Sequence, residues 1–443
     1  MDPVPRWWRP GLLVVIGVAV LVRVVFALQV APDLPPPGDA VVYRTMASSL
    51  VRGDGLLLEA PGTDVLEPTA EHPPVFPMLL AALDVVGLES PRAQGVSLAV
   101  LTGAAVALVA LLGRRFGGPA VGLTAAAIAA LHPMWFQSAG VVMSESVHLI
   151  LVPAVLLAAL RVQELPGWRP VAVLGVLIGV GALNRPESLG FALAVGVPAL
   201  LLSGRDRGAT VRGVAVLGGA LLLVVTPWLA RNEREIGAVT MATNSGKTLL
   251  GSNCDGAFDG PGLGGFDYEC QFGAAAFLVY VGPPDGGQWD GRALDDALGE
   301  AGRRFLREHR SEVPRVVVAR VARMWGVAFA ADQLAFDVSE GRHRPSQHAG
   351  QWLHLALLPS AAAGAVLAFR RGQRAPTILL LGIPVLVTLT TLLIYGGTRM
   401  RSGAEPAVAV LAAYGLVAAV RAAGRRFGWF PPSGTPAGSL GSQ

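Results

Sequence analysis

Apolar runs of membrane-spanning length recur along almost the whole chain, and charged residues collect between them. A helix needs roughly 20 apolar residues to cross a bilayer. By apolar length, spans are predicted over 11–30, 92–112, 119–136, 138–160, 170–184, 187–203, 211–230, 352–369, 375–395 and 404–420. Segment 74–86 is apolar but short. Counting it as a crossing would move Arg114 and Arg115 away from the side that holds the other Arg clusters, so it reads as a re-entrant or interfacial helix, opened by Pro73, Pro74 and Pro77. With that choice Arg6 and Arg9, Arg114 and Arg115, Arg161 and Arg169, Arg205 and Arg207, Arg370 and Arg371, and Arg425 and Arg426 share one side. The positive-inside rule makes that side cytoplasmic and puts both termini there.

The expected fold is therefore all-α and integral to the membrane. It is a polytopic bundle of about ten transmembrane helices, with re-entrant or juxtamembrane helices in the first external loop and an external segment between spans seven and eight. The chain divides into an N-terminal transmembrane module, 1–230, which includes the first external loop 31–91; an external Cys-containing segment, 231–351; C-terminal transmembrane helices, 352–426; and a Pro/Gly/Ser-rich cytoplasmic tail, 427–443, expected to be disordered.

Composition agrees with the pattern. Of 443 residues 52% are hydrophobic and 15% charged, and the mean hydropathy is +0.53. A soluble domain cannot hide that much apolar surface. A net charge of +4 gives no reason to expect nucleic-acid binding. Arg supplies almost all positive charge, Lys247 being the only lysine. Segment 7–30 follows Arg6 like a signal sequence, but it is long and lacks a small-x-small cleavage site, so it reads as an uncleaved first span.

Segment 231–351 holds both cysteines, Cys254 and Cys270, in a Gly-rich stretch, which points to a disulfide in an oxidising compartment. Within it, 300–325 carries Arg303, Arg304, Arg307, Arg310, Arg315, Arg320 and Arg323 among Val and Phe, and predicts a basic amphipathic helix on the outer membrane surface.

The orientation brings polar groups from distant regions to one level. Asp39 and Tyr43 follow the first span, Glu71 and His72 precede the re-entrant helix, and Glu145 lies in the fourth span. Asn184, Arg185 and Glu187 form an external turn, Arg231 and Asn232 end the seventh span, and Arg399, Arg401 and Glu405 lie between the last two. Ionisable groups at membrane depth are costly and mark polar cavities. The chemistry suggested is sugar transfer from a lipid-phosphate donor. Displacement at an anomeric carbon needs a base for the acceptor hydroxyl, which Asp39 supplies. It also needs cations for the departing phosphate, which Arg399 and Arg401 supply. Tyr43, His72, Glu145, Arg185, Glu187 and Arg231 are candidates for the substrate pocket.

Each has a second reading. Asp39 is also a candidate N-cap for a helix over 40–52. Arg399 and Arg401 also suit headgroup anchoring, Arg185 and Glu187 a pair across their own turn, Glu145 a structural or an acceptor-binding role, and His72 a helix start. Gly246-Lys247-Thr248 resembles the tail of a phosphate-binding P-loop, but Met241 stands where the earlier glycine belongs. No metal-ligand spacing of a specific kind occurs, so no metal or other cofactor is expected.

The runs GDAVVYRTMASSLVRGDG, HPPVFPMLLA, ALNRPES, TPWLARNEREIG and GGTRMRSGAEPAVAVLAAYGL, in this order over about residues 10–425, resemble the GT-C membrane glycosyltransferases. The similarity is to the protein mannosyltransferase-like and aminoarabinose-transferase-like branch, the glycosyltransferase 39 and 83 group. The resemblance implies a catalytic Asp in the first external loop, at Asp39, and basic residues near the last spans, at Arg399 and Arg401. It implies a polyprenyl- or dolichyl-phosphate sugar donor, metal-independent inversion, and short helices parallel to the membrane in the first loop. Many members have an Asp-Glu pair where this chain has Asp39-Ala40, so the acceptor class does not carry over.

The resulting expectation is a hexosyl- or pentosyltransferase at the external, periplasmic face of a plasma (inner) membrane. It transfers a sugar from a polyprenyl-phosphate donor in the lipid bilayer to a glycan, lipid or protein acceptor of the envelope, with Asp39 as general base and inversion at the sugar. The alternative is a transporter or flippase of a lipid-linked saccharide. That class expects polar groups through the midplane and repeated halves, whereas the polarity here gathers at one end of the spans.

Overall fold

Proline and glycine set where the apolar helices stop and bend. The computed structural model describes residues 5–426, and the tail expected over 427–443 lies outside them. Among the described residues, seven helices are long and apolar enough to cross a membrane: Trp8–Asp33, Pro91–Gly117, Glu145–Glu164, Arg207–Ile236, Arg344–Arg370, Arg374–Leu393 and Glu405–Arg426. The chain is thus an all-α, multi-pass membrane protein.

Two further helices, Pro119–Leu131 and Pro133–Gly140, meet at 52° and make an eighth span if counted together. Pro133 disfavours the α conformation at His132, which is extended at ψ 116°. The carbonyls left open at the break are met by Arg23, which donates to Ala130 O at 3.0 Å and Ala129 O at 2.9 Å. An unmet carbonyl in the hydrocarbon would cost on the order of several kcal/mol.

Three expectations change. The single span over 138–160 is interrupted: helix ends at Gly140, Val142 takes φ 56°, and helix resumes at Glu145. The interruption sets Glu145 in a first turn, where the helix dipole favours a carboxylate. The spans expected over 170–184 and 187–203 are apolar helices shorter than a full crossing. Arg169–Ala182 has 14 residues, about 21 Å against a hydrocarbon core of about 30 Å. Pro186–Leu201 is pieced from 3₁₀, π and α turns. The single basic helix over 300–325 is two helices, Gly291–Glu308 and Val313–Trp325. Its Arg320 and Arg323 are buried rather than surface-facing: Arg320 donates to Ser252 O at 2.7 Å and Arg323 to Leu263 O at 2.6 Å.

Small residues let the last helices touch backbone to backbone. A Cβ at Gly364 would stand 2.0 Å from Leu411 O, and one at Gly415 2.2 Å from Ser360 O, joining Arg344–Arg370 to Glu405–Arg426. The first loop holds helix Gly38–Val51, a hairpin pairing Leu57–Glu59 with Leu66–Pro68 antiparallel, and the short apolar helix Val75–Val85. Three-residue strands are too short to show an alternating pattern. The larger segment folds into helices including Ser245–Gly251, Tyr268–Val281 and Ala330–Ser339, and a disulfide joins Cys254 to Cys270.

Candidate functional site: an ion-paired cavity at one end of the bundle

The prolines at 35–37 hold the chain extended until Gly38, and helix begins there with Asp39 in its first turn. No side-chain bond caps this helix, so the capping reading of Asp39 has no counterpart in the geometry. The carboxylate turns instead to Arg399, whose Nη2 donates to Asp39 Oδ2 at 2.5 Å. The same proline run packs on Gly341, where φ is +78° and a Cβ would stand 2.3 Å from Pro35 O. That approach brings Glu340 and Arg342 to the site.

Arg399 sits among three carboxylates. Its Nε donates to Glu145 Oε1 at 2.7 Å and its Nη1 to Glu340 Oε1 at 3.4 Å, besides the bond to Asp39. Glu145 is 1% exposed and also faces Arg185 at 3.2 Å and Arg342 at 3.8 Å. A buried carboxylate needs such pairing to stay ionised. The 3₁₀ turn Thr398–Gly403 presents Arg399, and Asp337 anchors that turn by accepting from Thr398 Oγ1 at 2.8 Å.

A cavity of about 670 Å³ opens over this network. Asp39, Tyr43, His72, Arg185, Glu187 and Arg399 line its polar side. Leu386, Val387, Thr390 and Ile394, from the membrane helix Arg374–Leu393 and the residue after it, line an apolar side with Phe191. Tyr43 donates to Ser144 Oγ at 3.1 Å and packs on the His72 ring, centroids 4.4 Å apart. His72 Nε2 lies 3.7 Å from Asp39 Oδ1. Arg185 and Glu187 pair with each other at 2.5 Å while both face the cavity.

Burial raises the Asp39 carboxyl's pKa, but Arg399 and then His72 outweigh it and hold the group below its ordinary value. For His72 burial dominates and lowers the pKa against the pull of Asp39. Asp337 is pushed up to about 6 by burial, opposed by the hydrogen bonds it accepts from Gln333 and Thr398.

Three residues expected at the pocket do not line it: Glu145 is buried behind Arg399, and Arg401 and Arg231 point elsewhere. Arg401 is fully buried and donates to Glu405 Oε1 at 3.1 Å and Met324 O at 2.9 Å. Two residues apart on a 3₁₀ turn, Arg399 and Arg401 point in different directions. Arg231 clamps the first loop through Thr69 O at 2.6 Å and Leu56 O at 3.1 Å. Conversely, Glu340, Arg342 and Asp337 reach the site with no signal in the sequence, because polar residues in a long hydrophilic segment carry no period. Buried His132 and His354 also meet Glu405, with possible ligand atoms within 4.8 Å of one another. The Arg401 guanidinium already balances Glu405 and opposes a second cation there.

Residues 71–230 match the family model described as dolichyl-phosphate-mannose-protein mannosyltransferase. Over that segment the chain carries the protein mannosyltransferase pattern. The resemblance to the protein mannosyltransferase-like group is borne out over that segment. Among solved structures, the chain is similar to the Archaeoglobus fulgidus oligosaccharyltransferase complexed with Zn and sulfate. Identity is 14%, with coverage of 94% of this chain and 50% of that one and a TM-score of 0.48. The chain thus spans about half the length of that oligosaccharyltransferase. It is also similar to ArnT from Cupriavidus metallidurans bound to undecaprenyl phosphate, at 14% identity, 96% and 81% coverage and a TM-score of 0.40. No curated relative matches the chain by sequence.

Proposed function

We propose that this chain is a membrane glycosyltransferase that moves a sugar from a polyprenyl-phosphate donor to an envelope acceptor at the external face of a plasma membrane. The family match over 71–230 supports glycosyl transfer from a lipid-linked donor. The observation that carries the finer reading is the Asp39–Arg399 pair on the wall of a cavity whose opposite character is apolar. A polyprenyl tail suits the wall of Leu386, Val387 and Ile394, and a sugar phosphate suits the polar wall.

In this mechanism the acceptor oxygen forms a bond to the anomeric carbon as the bond from that carbon to the phosphate oxygen breaks. The acceptor's proton goes to Asp39, and Oδ1 is the oxygen not engaged by Arg399. The electron pair leaves with the polyprenyl phosphate, and Arg399 stabilises the charge that develops there. As phosphate draws on the Arg399 charge, the restraint on the basicity of Asp39 relaxes. Attack opposite the leaving group inverts the anomeric centre. The clusters of Arg at the other end of the spans support a cytoplasmic location for that end.

The test is to incubate membranes with labelled polyprenyl-phosphate sugars and follow label into acceptor, for wild type and for Asp39→Asn. Transfer by wild type and loss in the variant is the expected result. Unimpaired transfer by Asp39→Asn rejects the base.

A further inference from the structure

Gly246-Lys247-Thr248 is a motif that the proposed chemistry leaves unused, yet Lys247 and Thr248 line the same cavity as Asp39 and Arg399. Its position is held through the backbone. Asp295 accepts from Gly246 N at 2.9 Å and Lys247 N at 2.8 Å, tying Ser245–Gly251 to Gly291–Glu308. The approach requires glycine, since a Cβ at Gly246 would stand 1.7 Å from Asp295 O. The N–H groups that a phosphate-cradling loop would present are thus already used. What the motif offers the cavity is the lysine side chain.

Lys247 is the least committed cation on that wall. Its Nζ donates to Glu71 Oε2 at 2.7 Å, one of the three donors of an ammonium. Arg399 gives all three nitrogens to carboxylates, and Arg185 is engaged by Glu187, Glu145 and Ser144. The Lys247 side chain is 24% exposed, against 13% for Arg399 and 10% for Arg185. A flexible stem and a compact charge let an ammonium turn from a carboxylate to a phosphate.

We propose that Lys247 binds the phosphate of the lipid-linked donor, with Glu71 as its counter-ion in the resting state. The proposal rests on the donor reading above and adds a binding residue to it.

Because Lys247 is the only lysine, an amine-reactive reagent such as trinitrobenzenesulfonate reports on it directly, and peptide mass mapping separates it from the chain's terminal amine. Purified wild-type protein is labelled alone, with polyprenyl phosphate, with polyprenol of equal length, and with inorganic phosphate. Polyprenyl phosphate is expected to slow labelling of Lys247 about fivefold or more, while polyprenol and inorganic phosphate leave it unchanged. In direct binding of polyprenyl phosphate, Lys247→Met is expected to weaken affinity about tenfold. Lys247→Arg should retain most of it, and Glu71→Gln should equal or exceed wild type. A lysine that only pairs with Glu71 predicts instead that Lys247→Met and Glu71→Gln weaken binding alike, and that result overturns the proposal. Labelling unchanged by bound polyprenyl phosphate also overturns it and leaves the donor reading standing. Failure of wild type to bind polyprenyl phosphate at all removes both.

Discussion

Arg399 reaches across 360 positions of sequence to Asp39, and its Nη2 donates to Asp39 Oδ2 at 2.5 Å. The pair joins the start of the first loop to the turn before the last membrane helix. Arg399 is therefore both the partner that keeps Asp39 ionised and a link between two segments of the cavity's polar wall.

Asp39→Asn is expected to lower transfer by about 10²-fold or more, the scale of a lost general base. Thermal unfolding should fall by no more than a few degrees, because the variant loses the charge of the Asp39–Arg399 pair but no helix cap. Initial rates and melting curves on the same preparation check this. A variant that loses activity only by unfolding would speak against the base.

Arg399→Lys retains the charge but not the fork that meets Asp39, Glu145 and Glu340 together. Transfer should fall about 10²-fold. Arg399→Ala leaves Glu145 with Arg185 and Arg342 and removes its shortest ion pair, so a stability loss of about 3 kcal/mol is expected. Denaturation midpoints in detergent measure it.

Two carboxyls with opposite shifts give opposite pH signatures. Asp39 lies below its ordinary value, so its ionised form favours the folded state. That contribution is present above the unfolded pKa of about 4 and is lost as pH falls through the folded value. The acid limb of kcat/KM should accordingly lie below about pH 4, and a limb near neutrality would assign the base to another group. Asp337 is raised to about 6, so its protonated form favours the folded state. The unfolded chain releases this proton first, and stability falls as pH rises from about 4 to about 6. Melting temperatures between those values should decline less in Asp337→Asn than in wild type.

The disulfide Cys254–Cys270 encloses Phe266 and Tyr268, which line the cavity. Closing a loop of 16 residues contributes about 3 kcal/mol. Reduction, or the double Cys→Ser variant, should therefore lower the unfolding temperature and weaken transfer. Melting with and without reductant tests the first, and initial rates test the second.

The sequence by itself determined the helical membrane class, the positions of the long spans and the first-loop acid. Each of these is written in local pattern: apolar length, Arg clustering, and Asp39 just after a proline run. The helix bends at His132–Pro133 for a local reason as well, but where its open carbonyls find partners depends on Arg23, far away in sequence. Only the tertiary structure decided which charges meet. It turned Arg399 into the cavity and Arg401 into the protein, although they are two residues apart. It also drew Glu340, Arg342 and Lys247 from an aperiodic segment to the site. Pairing of buried charges is set by distance and desolvation after the helices pack, and neither quantity has a one-dimensional signature.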